Sequence, residues 1–234
     1  MTRRWAVVPA AGQGVRFGAA VPKQYAPLLG KPVIVWALQA LLAEESLAGI
    51  VVAVAESDRQ WSSLDVSRDP RVHSCAGGGS RGHSVANALA ALSGRAADTD
   101  WVLVHDAARP CLRHDDLQAL FGELRDDDPI GGLLAVPLSD TLKRADADGG
   151  VRETVSRERL WRALTPQMFR FGLLQRALTV CRERDRRVTD EASAIECLGL
   201  RPRLVRGHAD NIKVTNPEDA VLAEAILRAR TNHE

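Results

Sequence analysis

Apolar residues along the chain gather in short unbroken runs that stop abruptly at glycine, proline or charge. Trp5–Val8, Gly49–Ala55, Trp101–Val104 and Gly131–Pro137 are the clearest, and none shows the polar alternation of a half-exposed strand. Such runs predict strands covered on both faces. Arg71–Cys75, Arg203–Val205 and Ile212–Val214 are shorter strand candidates. Between the runs the period becomes helical. A helix opening at Pro32 carries Ile34, Leu38, Leu41 and Leu42 on one face, and one over Asp115–Arg125 carries Leu117, Leu120, Phe121 and Leu124. Val85–Leu92, Phe171–Glu183 and Thr189–Leu198 are further helices, and Asn216-Pro217-Glu218-Asp219 caps and opens a last one to about Arg230. Ser57–Asp69 is polar and reads as a helix with loops. Alternating β and α segments predict an α/β fold: a doubly wound, mostly parallel sheet with helices on both faces.

Residues 139–157 break the rhythm. Thr141–Arg144 and Val151–Val155 are half-polar strands around Asp148-Gly149-Gly150, the signature of a β-hairpin. A lone hairpin is marginal in water, so this one needs a surface to lie on. A partner subunit and the parent domain are both open on pattern alone. With no internal repeat and no low-complexity linker, residues 1–234 read as a single domain with this arm attached.

Charge and composition narrow the function classes. Lys+Arg 31 against Asp+Glu 30 leaves net +1, and aromatic content is 4%, so neither the field nor the stacking surface of a nucleic-acid binder is present. Cys75, Cys111, Cys181 and Cys197 are widely spaced with no Cys-x-x-Cys pair, the pattern of free thiols in a reducing cytoplasm. The chain enters its first strand at once, which predicts no signal peptide. No apolar run approaches the roughly 18 residues that a membrane span needs.

The chemistry concentrates in Val7–Tyr25, where a buried strand ends in Pro9-Ala10-Ala11-Gly12-Gln13-Gly14, followed by Arg16 and Lys23. Small residues let a ligand approach the backbone, and exposed N–H groups there suit phosphates. The glycines Gly12, Gly14 and Gly18 miss the dinucleotide spacing by one residue, and Lys23 lies between Pro22 and Gln24 rather than in a P-loop signature. A Gly-rich loop carrying two cations remains, as in nucleotidyltransferases. In open α/β sheets the ligand lies at the carboxyl ends of the strands, where loops 9–16, 77–84 and 105–110 would converge.

Pro9–Arg16, Pro22–Tyr25, the Gly77–Ser84 loop, His105–Pro110, Leu164–Gln167, Thr189–Ala194 and Asp210–Thr215 occur in that order. Together they resemble the 2-C-methyl-D-erythritol 4-phosphate cytidylyltransferase family of the non-mevalonate isoprenoid pathway, over nearly the whole chain. The ribitol-5-phosphate cytidylyltransferases share most of the set. The resemblance implies a Rossmann-like nucleotidyltransferase fold, CTP and a polyol phosphate as substrates, Mg²⁺, and a homodimer that exchanges the 139–157 arm. It implies that Pro9, Ala10, Ala11, Gly12 and Gly14 contact the nucleotide through the backbone. Gly78 and Ser84 would read cytosine, with Asp106 and Ala107 facing the ribose and the metal side. Arg16 and Lys23 would grip the triphosphate, and with Lys213 they would be the catalytic cations. Arg109, Thr141, Arg157, Thr165, Thr189 and Lys213 would hold the polyol phosphate, Thr141 and Arg157 in the neighbour's site. Gly79–His83 departs from the family pattern of an acidic or amide residue before the serine, so no side-chain contact is expected there.

Plainer roles stand beside these. Ser84 and Thr189 sit where helix N-caps belong. Asp106 could cap the loop after its strand, Arg157 could be a surface arginine, and Thr141 could be an edge-strand threonine. His105, inside an apolar strand, reads as a satisfied core histidine in preference to a general base. Lys213 alternates with Ile212 and Val214 and so points away from them, towards a ligand. Three different outcomes remain: the same chemistry on ribitol 5-phosphate, a nucleotide sensor that has lost catalysis, or, from the glycine-loop ambiguity, a nicotinamide-binding oxidoreductase.

Overall fold

The computed structural model describes residues 2–12 and 22–231. Strand β1 (Arg4–Pro9) is followed by a short antiparallel pair, β2 (Pro27–Leu28) and β3 (Lys31–Pro32), and by helix α1 (Val33–Leu42). Next come β4 (Leu47–Val54), β5 (Val72–Ala76), α2 (Arg81–Leu92), β6 (Trp101–Val104), α3 (His114–Glu123) and β7 (Gly131–Pro137). β8 (Leu142–Ala145) and β9 (Val151–Val155) form the arm. The chain continues through β10 (Trp161–Arg170), α4 (Phe171–Glu183), α5 (Glu191–Glu196), β11 (Arg203–Arg206) and α6 (Pro217–Thr231).

The main sheet has seven strands in the order β11-β7-β10-β6-β1-β4-β5. Every neighbouring pair is parallel except those of β10, which runs against both β6 and β7. The unbroken apolar runs are explained by the two faces. In β1, Ala6 and Val8 join the core under α1 and α3, while Trp5 and Val7 join the core under α2, α4 and α5. β4 and β6 divide in the same way, Ile50, Val52 and Leu103 on one side and Val51, Ala53 and Val102 on the other. A third, smaller cluster seats α6 through Ala223 and Leu227 against Val33, Cys111 and Val214. The fold is the doubly wound α/β sheet that the pattern predicts.

One strand is unexpected, and four expectations need correction. Trp161–Arg170 is a strand in the middle of the sheet although its sequence is half polar and holds a proline. The register shifts between Ala163 and Gln167, so Pro166 falls in the stretch where the ladder is not continuous and no backbone donor is missed. Ile212–Val214 is not a strand; it crosses the carboxyl end of the sheet, tied through the Val214 N–H to the Ala108 carbonyl (2.8 Å). Ser57–Asp69 forms two short 3₁₀ turns, Trp61–Ser63 and Asp65–Arg68, instead of a helix. α2 begins four residues before Val85, and its N-cap is Ser80, whose hydroxyl accepts from the His83 N–H. Thr189 likewise yields the cap of α5 to Asp190, which closes a capping box with Ser193. The arm forms as expected, its two strands pairing with each other in a sheet of their own.

Candidate active site

A cleft of about 1660 Å³ opens at the carboxyl ends of β1 and β6 and runs on into a groove along α4. Loop 9–12, Lys23, Gly78–Ser84, Asp106–Ala108, Thr189 and Lys213 line it. Of the residues singled out from the sequence, the structure therefore gathers Pro9, Ala10, Ala11, Gly12, Lys23, Gly78, Ser84, Asp106, Ala107, Thr189 and Lys213. Gly14 and Arg16 lie outside the described residues. Arg109 and Thr165 stand beneath the cleft floor, not in its lining. Thr141 and Arg157 sit on the arm, where Arg157 is exposed and its guanidinium donates to the Ser139 carbonyl.

The first loop is shaped by two neighbours. Gln24 is buried, and its amide donates to the carbonyls of Ala10 (2.8 Å) and Gly12 (3.1 Å). The second glycine loop packs against it so closely that a Cβ on Gly77 would fall 2.3 Å from the Ala11 Cβ. A Cβ on Gly78 would fall 2.4 Å from the His83 Cβ. The Ser84 hydroxyl is turned inward, donating to the Ser80 carbonyl (3.0 Å) and accepting from the Gly78 N–H (3.0 Å). Its observed contacts hold the loop.

Asp106 is the centre of the charge pattern. One carboxylate oxygen, Oδ1, accepts from Arg81 Nε (2.9 Å); the other, Oδ2, pairs with Lys213 Nζ (2.9 Å) and lies 3.5 Å from Arg109 Nε. Burial alone would raise this carboxyl, yet Arg81, Lys213 and Arg109 hold it far below the usual carboxylate range. Arg81 in turn forks onto Glu191, Nη1 to Oε1 at 2.7 Å and Nη2 to Oε2 at 3.0 Å. Burial pushes the Glu191 carboxyl up and Arg81 pulls it back. Segment 79–83, from which the sequence predicts no side-chain contact, thus supplies a side chain that joins two carboxylates of the site. Sequence reasoning missed Arg81 and Glu191; a cation at the first position of a helix, where the dipole opposes it, was the available signal.

His105 is fully buried with both ring nitrogens engaged. The Arg109 carbonyl (3.0 Å) can only accept, so Nε2 carries the proton, and Nδ1 faces the Thr165 hydroxyl (3.0 Å). Thr165 Oγ1 also receives the Asp106 N–H (3.1 Å). This chain of bonds occupies Thr165 and leaves His105 neutral, its pKa lowered to about 4 by burial. It is the satisfied core histidine that the sequence favours. Asn211 completes the floor, its side-chain amide donating to the Thr165 carbonyl (2.7 Å) while its backbone carbonyl accepts from Arg109 Nη1 (2.7 Å). Segment 211–214 therefore carries Lys213 to Asp106 on an anchored backbone.

Among the described residues no cluster of three or more His, Cys, Asp or Glu side chains could cage a metal. None of their helices is long and apolar enough to cross a membrane.

Known proteins resemble this chain over nearly its whole length. The 2-C-methyl-D-erythritol 4-phosphate cytidylyltransferase family model matches residues 5–229. A Pseudomonas putida protein of that name is 56% identical over 216 residues, 92% of each chain. One from Dechloromonas aromatica is 54% identical over 232 residues, 98% of this chain and 100% of its own. A crystal structure of 4-diphosphocytidyl-2C-methyl-D-erythritol synthase superposes with TM-score 0.85 at 39% identity, covering 97% of this chain and 99% of that one. The Francisella tularensis 2-C-methyl-D-erythritol 4-phosphate cytidylyltransferase gives TM-score 0.84 at 34% identity, over 96% of this chain and 100% of that one. The chain belongs to the 2-C-methyl-D-erythritol 4-phosphate cytidylyltransferase family.

Proposed function

We propose that this chain is a CTP-dependent cytidylyltransferase. It joins CTP to 2-C-methyl-D-erythritol 4-phosphate, forming 4-diphosphocytidyl-2-C-methyl-D-erythritol and releasing pyrophosphate. The observation that carries the reading is the meeting of loop 9–12, Lys23 and Lys213 in one cleft at the carboxyl end of the sheet, in a chain of this family.

A phosphate oxygen of the acceptor attacks the α-phosphorus of CTP in line, and pyrophosphate leaves. The second pKa of a phosphate monoester is about 6, so the nucleophile is ionised at neutral pH and needs no general base. The burial and neutrality of His105, beside the cleft yet outside the reaction, support that economy. The work left to the protein is to bring two anions together and to neutralise the charge that builds at the α-phosphate. Lys23 and Lys213 do this, with Arg16 as their third member. Gln24 occupies the carbonyls of Ala10 and Gly12, which biases the loop towards N–H donors for the phosphates. Gly78, held by Ser84, and Asp106 with Ala107 frame the nucleoside; Arg109, Thr165 and Thr189 shape the acceptor side.

Mg²⁺ would be held mainly by the phosphates of the nucleotide and by water, with Asp106 a nearby carboxylate whose two oxygens are paired here with Arg81 and Lys213. Bound there, it would neutralise charge on the triphosphate. The arm, whose strands among the described residues pair only with each other and expose Val151, serves a homodimer and carries Thr141 and Arg157 to the neighbouring site. The cytoplasm is the compartment, in keeping with four free cysteines.

Pyrophosphate release with CTP and Mg²⁺ tests the reading, with methylerythritol 4-phosphate and ribitol 5-phosphate in parallel. Release with the first acceptor alone is expected. Release with the second alone moves the enzyme to another polyol. Silence with both in a sample that binds CTP would make it a nucleotide sensor.

A further inference from the structure

We propose that Arg81 is a positioning residue: its guanidinium, clamped between Asp106 and Glu191, sets the carboxylate that holds Lys213 in the cleft. The kinetic consequence rests on the cytidylyltransferase reading; the geometric one does not.

Three segments far apart in sequence meet on this one side chain. Arg81 opens α2 after the glycine loop, Asp106 follows β6, and Glu191 is the first residue of α5. Nε is spent on Asp106 and the two terminal nitrogens on Glu191, at 2.9, 2.7 and 3.0 Å. The fork geometry explains why an arginine stands here: a lysine ammonium could reach one carboxylate but could not hold both at fixed angles. The helix gains nothing from the residue, since a cation at its first position opposes the dipole.

The clamp determines which way Asp106 faces. With Oδ1 tied to Arg81, Oδ2 is the oxygen presented to Lys213. Lys213 is partly exposed and on irregular chain, so this ion pair is what keeps its ammonium at the cleft floor. Glu191 steadies the clamp from the other side. It is fully buried, and the residue before it, Asp190, accepts from Gln167 Nε2 (2.9 Å) on β10. The chain of constraint thus runs from the sheet through α5 and Arg81 to Asp106 and Lys213. Arg81 itself acts through Asp106 and need not touch substrate.

The test compares Arg81→Lys with the double variant Arg81→Met, Glu191→Met. The double change removes both members of the buried pair and leaves no lone buried charge, so it keeps the fold where a single truncation could lose it. Circular dichroism and the melting transition establish that each variant is folded. In the double variant kcat is expected to fall by about a hundredfold, with KM for CTP within about threefold of wild type. Arg81→Lys should lie between the two. A merely structural role would lower the melting temperature and leave kcat per folded molecule intact, which overturns the proposal. A rise confined to the acceptor KM also overturns it, because Arg81 would then bind substrate directly. Should the wild-type protein prove inactive, the cytidylyltransferase reading falls alone. A crystal structure of the double variant then decides: loss of the Asp106–Lys213 pair upholds the positioning role, and its retention near 2.9 Å sinks it.

Discussion

Lys213 and Lys23 approach the cleft from opposite ends of the chain, and neither is on a long regular element. Groups that meet charge only as it develops lower kcat when removed, whereas groups that bind ground and transition states alike raise KM. Lys213→Ala and Lys23→Ala are therefore expected to lower kcat by about a hundredfold, on the scale of one lost electrostatic stabiliser. Steady-state kinetics varying each substrate checks this, and a rise in KM alone would reassign both lysines to binding. His105 gives a second prediction, in stability. Its folded pKa is lowered to about 4 by burial, against about 6.5 unfolded. The contribution of the neutral ring is complete above pH 6.5. It is lost as pH falls from there towards 4, because only the unfolded chain then takes up the proton. Linkage makes the loss on the order of 3 kcal/mol. The comparison is urea unfolding of wild type and His105→Gln from pH 7 to 4.5, wild type losing the extra stability. Parallel curves would mean that His105 takes up its proton in the fold as readily as in the unfolded chain. Its neutrality was legible in the sequence as a histidine inside an apolar run. The partners of Thr165 and Arg81 were not, because each bond joins segments at least 25 residues apart in sequence.

Elements turn such contacts into loops of fixed shape. β1, α1, β4, β6 and β7 follow from their apolar patterns, because both faces of a parallel strand are covered and the run carries the whole signal. β10 escaped that reading. Arg162, Thr165, Gln167 and Arg170 look like loop chemistry, but each is satisfied within the fold, Gln167 by α5 and Arg170 by the carbonyls of Thr99 and Asp126. A strand that feeds the site from mid-sheet needs polar side chains, and these hide it from a hydrophobic pattern. The motif at 189–194 reads differently once folded: Asp190 and Ser193 are a capping box, Glu191 is the clamp, and Thr189 is the side chain that faces the cleft. The contact between the two glycine loops gives the element-scale prediction. Gly77→Ala puts a methyl group 2.3 Å from the Ala11 Cβ, so loop 9–12 must withdraw. KM for CTP is expected to rise about tenfold or more with the sheet intact, since misplacing a binding loop by a fraction of an ångström loses contacts on that scale. Unchanged nucleotide affinity by titration would show that the loops move together without consequence.

At the scale of the whole molecule the sequence yields the sheet, the site at its carboxyl end and the arm, but not what the arm lies on. β8 and β9 extend from the sheet with largely exposed side chains, Val151 67% exposed. A two-stranded ribbon of that kind is stable only against another surface. If a second copy supplies the surface and receives Arg157, each site draws on two chains, and this can be read without a structure of the pair. Arg157→Ala spoils only the arm, and Lys213→Ala spoils only the cleft. In a mixed dimer, the Lys213→Ala cleft meets the defective arm, while the intact cleft meets the intact arm, so one site of two is whole. Random exchange puts about half of the dimers in that mixed form, and about a quarter of wild-type activity should return on mixing two nearly inactive proteins. Activity that stays at the average of the two parents, with sedimentation showing that exchange has occurred, would place Arg157 in the site of its own chain. Sedimentation showing monomers throughout would remove the exchanged arm altogether.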